Sequence, residues 1–189
     1  MIRIAMAGGP GCGKSSLSRQ LTTELYNKRK VNCQYVTEMA RDYINKALLL
    51  GKFVPSIADQ LIIFSKQIER EQIVPQSADF LITDSPIFLP LIFFHNLCDF
   101  TDFQQRTAFL HIYESYLDKY LKWYDYIFVL KRQKPFLKDG TRHESEEQSD
   151  EIGNQVYSFL KFHKIPFHTI QTPNDEERVK QVLEVIGVK

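Results

Sequence analysis

Five short apolar runs are spaced along the chain, and segments with helical periodicity separate them. The runs are continuous rather than alternating, which is typical of strands buried on both faces. They cover residues 2–7, 33–37, 80–83, 126–130 and 167–170. The spacing of apolar side chains between them predicts helices at 14–30, 39–50, 55–72, 87–97, 103–121, 152–163 and 175–186. Strands that alternate with helices predict an α/β fold with a five-stranded parallel sheet flanked by helices.

The length, charge and cysteine content narrow the class of protein. A chain of 189 residues without a linker or repeat fits one domain, 1–189. The net charge of +1 gives no general attraction to nucleic acid or membrane. Three widely scattered cysteines fit neither a disulfide framework nor a zinc site and favour a cytoplasmic setting. The apolar run 86–98 contains Pro90 and His95 and is too short to span a bilayer, so we expect no membrane partner.

Residues 8–16, GGPGCGKSS, match the phosphate-loop (P-loop) pattern G-x-x-x-x-G-K-[ST] between the first strand and the first helix. Glycines let the chain curl so that backbone N–H groups point at a polyphosphate, and the helix N-terminus adds more N–H groups. We expect Lys14 to bind the β- and γ-phosphates of ATP and the Ser15 hydroxyl to bind Mg²⁺. The residues predicted to bind the nucleotide are Gly8, Gly9, Gly11, Cys12, Gly13, Lys14, Ser15 and Ser16.

Two carboxylates follow predicted strands, at the edge of a parallel sheet where ligands bind. Asp84 follows the third strand and resembles the Walker-B aspartate, which binds Mg²⁺; the alternative is a cap for the helix after Pro86. Glu38 follows the second strand and is predicted to be catalytic on the acceptor side; the alternative is a first-turn residue that complements the helix dipole. Arg41, one helical turn later, is predicted to bind the acceptor or simply to pair with Glu38.

A basic segment, KRQKPFLKDGTR, occupies residues 131–142 after the fourth strand. Cations that close over a transferring phosphoryl group stabilise its charge, and a mobile lid often carries them. We therefore predict a lid-like segment near 131–150. Arg132 and Arg142 are the predicted catalytic cations, because a guanidinium binds phosphate oxygens in a bidentate way. The alternative is a solvated loop, and the acidic residues 144–151 are expected to open the next helix.

These motifs resemble the P-loop nucleoside and nucleotide kinase group, and most closely its branch of ribosylnicotinamide-kinase domains and related phage-encoded kinases. The matching stretches are GGPGCGKSS at 8–16, VTEMARDYI at 36–44, LITDSP at 81–86 and FLKDGTR at 136–142. The resemblance implies an ATP- and Mg²⁺-dependent phosphate transfer to a hydroxyl of a nucleoside-like acceptor. It would place Glu38 on the acceptor side, Asp84 on the metal side, and Asp139 and Arg142 in the lid-like segment. Related kinases often carry a further arginine early in the next helix, whereas residues 144–155 are acidic or neutral.

The identity of the acceptor stays open from the sequence. The first hypothesis is a small molecule, namely a nucleoside, a nucleotide or ribosylnicotinamide. The alternative is a hydroxymethylpyrimidine base within DNA, whose backbone the basic segment could follow. A third hypothesis is an ATPase or GTPase switch without an acceptor. The sequence KRQK after the fourth strand, where a GTPase would show an N-K-x-D-like element, argues against a GTPase. A homodimer is also left open.

Overall fold

A computed structural model describes residues 1–51, 56–97, 103–133 and 145–188 of the chain. The strands are β1 (Ile2–Ala7), β2 (Cys33–Val36), β3 (Phe80–Thr83), β4 (Tyr126–Leu130) and β5 (His168–Ile170). The helices are α1 (Lys14–Thr23), α2 (Met39–Leu49), α3 (Ile57–Gln72), α4 (Leu89–Leu97), α5 (Phe103–Leu121), α6 (Glu146–Phe162) and α7 (Asp175–Ile186). A π-helical turn, Glu24–Lys28, continues α1, so the predicted helix 14–30 has nearly the expected extent.

The five strands form one parallel sheet in the order β2-β3-β1-β4-β5. The predicted α/β fold is therefore confirmed. Strand β1 lies at the centre, with Ile4 opposite Ile82 of β3 and Tyr126 of β4. After β1 the chain passes to β2 at one edge of the sheet and then returns to β3, which lies between β1 and β2. This reversal of the strand order opens a crevice at the carboxyl edge of the sheet. The loop after β1 and the residue after β3 consequently lie next to each other.

Both faces of the sheet are covered, which explains why its strands are apolar throughout. On β1, Ala5 and Ala7 belong to a core cluster shared with α3, α4, α5 and α6. Ile4 and Met6 belong to a second cluster shared with α1 and α7. Alternate side chains of one strand thus fill two separate cores. No helix within the described parts of the chain is long and apolar enough to cross a membrane.

Helix α6 begins at Glu146, six residues before the predicted start at Ile152. The Ser145 hydroxyl accepts a hydrogen bond from Gln148 N at 3.2 Å, and the Gln148 side chain accepts one from Ser145 N at 2.7 Å. This reciprocal capping box starts the helix with polar residues. The prediction was wrong by more than one turn because apolar periodicity begins only at Ile152. The expectation that the acidic residues open this helix is correct.

A buried carboxylate on α3, Glu71, accepts hydrogen bonds from several side chains. Glu71 is 1% exposed. The Tyr124 hydroxyl donates to its Oε1 at 3.0 Å, Gln67 Nε2 donates to the same oxygen at 3.3 Å, and Trp123 Nε1 donates to Oε2 at 3.1 Å. Burial raises the pKa of Glu71 from 4.5 to about 7, although the hydrogen bonds oppose part of that effect. The folded protein therefore holds a proton here at pH values where the unfolded chain has lost it.

We predict that the free energy of unfolding falls between pH 5 and pH 8 because of Glu71. A pKa raised on folding stabilises the protein fully below the unfolded value, and this contribution is lost as the pH rises through the folded value. The shift corresponds to about 3 kcal/mol. The substitution Glu71→Gln keeps the group neutral and should remove this pH dependence in urea unfolding curves. Glu69→Gln, at an exposed position of the same helix, should follow the wild type; a Glu71→Gln variant that also follows it would contradict the prediction.

Candidate active site

The loop between β1 and α1 has the curled backbone that its glycines predict. Gly8 and Gly13 have positive φ angles of 140° and 96°. A Cβ atom added at Gly8 would lie 2.6 Å from the carbonyl oxygen of Leu130, and one at Gly13 would lie 2.7 Å from Arg178 Nη1. Residues with a side chain would therefore be strained and would collide with neighbouring elements at both positions. The glycine pattern is required by space as well as by backbone conformation.

Lys14 closes the loop on itself. Its ammonium group donates hydrogen bonds to the carbonyl oxygens of Gly8 and Gly9, both at 2.9 Å. Ser15 follows in the first turn of α1 and is half-buried. The predicted nucleotide-binding residues, Gly8, Gly9, Gly11, Cys12, Gly13, Lys14, Ser15 and Ser16, thus lie together at the carboxyl end of β1. Their role toward a nucleotide stays a prediction.

Asp84 follows β3 and is buried beside this loop, with 2% of its surface exposed. Its Oδ2 accepts a hydrogen bond of 2.6 Å from the hydroxyl of Tyr35 on β2. Its Oδ1 is buried and has no hydrogen-bond partner among the residues that the structure describes. Helix α4 begins only at Leu89, so Asp84 does not occupy the capping position that was its alternative assignment.

The oxygen atoms of Asp84 and Ser15 fit a magnesium ion. The Tyr35 hydroxyl donates to Asp84 and lies close to the Ser15 side chain, so the carboxylate and the Ser15 hydroxyl lie near the same point. Mg²⁺ prefers oxygen ligands and uses one or two protein groups together with water and phosphate oxygens. Among the described residues, no group of three or more His, Cys, Asp or Glu side chains could hold a metal on its own. The unpaired Oδ1 of Asp84 is the group that a cation would satisfy.

Glu38 immediately precedes α2, and its side chain does not cap that helix. Its Oε2 lies 3.5 Å from Arg41 Nη2, so the ion pair that was the alternative for Arg41 does form. The Glu38 side chain is 23% exposed and that of Arg41 is 40% exposed. Both groups therefore face solvent in part, and the pair can still contact an acceptor.

Arg132 follows β4 and binds the acidic first turns of α6. Its Nε and Nη2 donate to the two carboxylate oxygens of Asp150 at 2.9 and 2.6 Å, and Nη1 donates to Glu146 at 2.5 Å. These hydrogen bonds hold the pKa of Asp150 below its ordinary value. Arg132 is thus bound to carboxylates, and its action on a phosphate stays a prediction. Arg142 and Asp139 lie outside the described residues.

The first turns of α6 pack directly on the phosphate loop. The Ser149 hydroxyl donates a hydrogen bond to the carbonyl oxygen of Pro10. A Cβ atom at Gly9 would lie 2.1 Å from the carbonyl oxygen of Ser149. Glycine at position 9 therefore allows a backbone-to-backbone approach between the loop and α6. This contact brings Glu146 and Asp150, with their partner Arg132, to the border of the site.

Gln67 on α3 connects the two strand ends that carry the candidate carboxylates. This side chain is 1% exposed. Its Oε1 accepts a hydrogen bond from the backbone N–H of Met39 at 3.0 Å, next to Glu38, and its Nε2 donates to Thr83 Oγ1 at 3.4 Å, next to Asp84. No sequence signal distinguished Gln67 from the other polar residues of α3. A single buried amide thus connects the residue next to Glu38 with the residue next to Asp84.

Arg178 on α7 packs against the phosphate loop and hydrogen-bonds to it. It is 2% exposed, its Nη1 donates to the carbonyl oxygen of Cys12 at 3.3 Å, and its Nε donates to the carbonyl oxygen of Thr172 at 2.6 Å. The sequence contained a signal for this role, because Arg178 stands at i, i+4 spacing with the buried Val182 and Ile186. A charged residue on an apolar helix face indicates a specific partner.

We predict that Arg178→Met weakens nucleotide binding. Without the guanidinium, the Cys12 carbonyl is released and the loop N–H groups lose their fixed orientation. A tenfold higher dissociation constant for Mg–ATP, which corresponds to a loss of about 1.4 kcal/mol of binding free energy, is expected in isothermal titration calorimetry. Lys180→Met removes the same charge from an exposed position of the same helix and should bind like the wild type. Equal affinities of the Arg178→Met variant and the wild type, both folded by circular dichroism, would refute this role.

Three solved structures share this fold along the whole chain or nearly so. A NadR protein in complex with NR aligns with a TM-score of 0.72 and 16% identity, over 100% of this chain and 52% of that chain. Deoxyadenosine kinase from M. mycoides aligns with a TM-score of 0.63 and 16% identity, over 100% of both chains. Thymidylate kinase from Ehrlichia chaffeensis aligns with a TM-score of 0.63 and 14% identity, over 98% of both chains. The chain thus spans about half the length of the NadR protein.

The sequence comparisons point to one family. No sequence of a curated protein matches the chain. The model of a family described as an AAA domain matches residues 3–178, which include the phosphate loop, Glu38, Asp84 and Arg178. Because this match covers most of the chain, the protein belongs to that AAA-domain family, and its fold is that of the P-loop nucleoside and nucleotide kinases.

Proposed function

We propose that the protein is an ATP- and Mg²⁺-dependent kinase that transfers the γ-phosphate to a hydroxyl of a nucleoside-like small molecule. The observation that carries this proposal is the buried carboxylate of Asp84 beside a complete phosphate loop: its Oδ1 has no hydrogen-bond partner among the residues that the structure describes. A deeply buried anion without a partner on one oxygen is costly, and a bound cation removes that cost. The kinases of the same fold support the proposal.

On the donor side, the phosphate loop holds the nucleotide. The backbone N–H groups of the loop and of the first turn of α1 bind the phosphates, and Lys14 changes partners from two carbonyl oxygens to the β- and γ-phosphates. Ser15 and Asp84 hold the metal. An ion held there would supply neutralisation of the phosphate charge. Arg178 keeps the loop in shape, so that its N–H groups are orientated before the nucleotide arrives.

On the acceptor side, Glu38 acts as the proton acceptor. As the acceptor oxygen bonds to the γ-phosphorus, its proton passes to the Glu38 carboxylate. The bond between the γ-phosphorus and the oxygen bridging to the β-phosphate breaks, and ADP leaves with that electron pair. Arg41 holds the carboxylate in position through their contact of 3.5 Å. Gln67 fixes the backbone next to Glu38 relative to the backbone next to Asp84.

A small acceptor is favoured over DNA by the charges around Arg132. A DNA backbone is bound mainly by Lys and Arg side chains whose charge is available to phosphates. Arg132, the arginine of the described part of the basic segment, already binds Asp150 and Glu146. Two further exposed carboxylates, Glu147 and Glu151, lie on the same turns of α6 and would repel a polyanion. The nucleoside and nucleotide kinases of this fold also favour a small acceptor.

The acceptor can be identified with γ-labelled ATP and Mg²⁺. The labelled nucleotide is incubated with nucleosides, nucleotides, ribosylnicotinamide, and DNA with or without hydroxymethylpyrimidines, and Lys14→Ala serves as the blank. We expect label in a nucleoside-like small molecule. Label in hydroxymethylated DNA alone would replace this acceptor by DNA. Release of labelled phosphate without label in any acceptor would indicate an ATPase and overturn the proposal.

We predict that Glu38→Gln separates binding from transfer. The amide cannot take the proton of the attacking hydroxyl, so kcat should fall about 100-fold or more, as expected for loss of a general base. Nucleotide affinity should stay within about twofold, because the phosphate loop is untouched. Asp42→Asn is the matched control, since Asp42 lies on α2, the helix that Glu38 precedes, and pairs with Arg70. A Glu38→Gln variant with the kcat of this control would remove Glu38 from the reaction.

A further inference from the structure

Tyr35 lies on β2 and contacts both residues of the proposed metal site, although no motif includes it. Its hydroxyl donates a hydrogen bond to Asp84 Oδ2 at 2.6 Å and lies close to the Ser15 side chain. The three residues come from three different elements, β2, α1 and the segment after β3. The ring is half-buried in the sheet, where Tyr35 pairs with Ile82 of β3. The hydroxyl is therefore held at a fixed point between Asp84 and Ser15.

The hydroxyl of Tyr35 donates its hydrogen bond to one of the two carboxylate oxygens of Asp84. Oδ2 of Asp84 is occupied by this strong, short hydrogen bond, whereas Oδ1 has no partner within the described parts of the chain.

The hydrogen bond to Oδ2 determines how the Asp84 carboxylate is orientated. A ligating carboxylate generally has a hydrogen bond to its other oxygen, which fixes the rotation of the group toward the metal. Without the Tyr35 hydroxyl, the carboxylate could rotate, and both of its oxygens would be buried without donors. The same hydroxyl also lies close to the side chain of Ser15, the second proposed metal ligand.

We propose that Tyr35 is a positioning residue of the Mg²⁺ site, which holds the Asp84 carboxylate in the orientation that binds the metal of a metal–nucleotide complex. This inference rests on the proposed kinase function. It adds a third element, β2, to a site otherwise built from the loop after β1 and the end of β3. It also gives β2 two roles, because the same strand leads to Glu38.

The test uses Mn²⁺ as a spectroscopic substitute for Mg²⁺ and AMP-PNP as a nucleotide that is not turned over. Binding of Mn²⁺ to the protein–AMP-PNP complex is measured by electron paramagnetic resonance. For Tyr35→Phe we expect a dissociation constant for Mn²⁺ that is about 10- to 100-fold higher than that of the wild type. Affinity for AMP-PNP in EDTA should be unchanged, which a general loss of structure would not allow.

The matched control is Tyr43→Phe. Tyr43 also donates a short hydrogen bond to an aspartate, reaching Asp59 Oδ1 at 2.5 Å, but that pair joins α2 to α3. Its removal should leave Mn²⁺ affinity unchanged. Equal Mn²⁺ affinity in Tyr35→Phe and the wild type would overturn the proposal, and so would a tighter affinity, because Tyr35 would then compete with the metal.

A second measurement keeps the hydroxyl and does not depend on the folding of Tyr35→Phe. With 3-fluorotyrosine at position 35, the ¹⁹F resonance should shift when Mg²⁺ is added to the AMP-PNP complex, whereas a fluorotyrosine at position 43 should not respond. No shift at position 35 would refute the role of Tyr35. Failure of the wild type to bind AMP-PNP more tightly with metal would instead refute the kinase proposal itself, and Tyr35 with it.

Discussion

Three elements pack so closely against the phosphate loop that no side chain fits at Gly8, Gly9 or Gly13. The carbonyl oxygen of Leu130 approaches Gly8 from β4, that of Ser149 approaches Gly9 from α6, and the guanidinium of Arg178 approaches Gly13 from α7. Close packing of this kind transmits small shifts directly. The shape of the loop therefore depends on elements that lie more than a hundred residues away in the chain. Its N–H groups can be orientated before a nucleotide binds, and so little ordering is required on binding.

Near the carboxyl edge of the sheet, the buried polar side chains Gln67 and Glu71 form a hydrogen-bonded network. Gln67 joins Met39 to Thr83, and Glu71 joins Gln67 to Tyr124. Polar groups buried without partners are costly, whereas a satisfied network rigidifies its surroundings and specifies one arrangement. This network stands under the two carboxylates, Glu38 and Asp84, whose separation matters for phosphate transfer. Its location indicates that geometry at the site is maintained by hydrogen bonds as well as by the hydrophobic core.

Charge at the border of the site is arranged in opposing pairs. The first turns of α6 bring Glu146 and Asp150 close to a loop that is built for anions, and like charges there would repel phosphate. Arg132 binds both carboxylates and offsets their charge. The ion pair of Arg41 with Glu38 has the same character on the acceptor side. Arg132 and Arg41 thus each bind acidic residues of the protein itself.

The amino-acid sequence by itself determined the strands and helices, the parallel α/β sheet, the phosphate loop, and the positions of Glu38 and Asp84 after their strands, because local periodicity and short motifs carry that information. Only the tertiary structure decided that Tyr35 contacts Asp84, that Gln67 connects two strand ends, and that Arg178 supports Cys12. These contacts join residues separated by 49, 28 and 166 positions for Tyr35–Asp84, Gln67–Met39 and Arg178–Cys12. They arise from strand order and helix packing, and no pattern along the chain records such pairings.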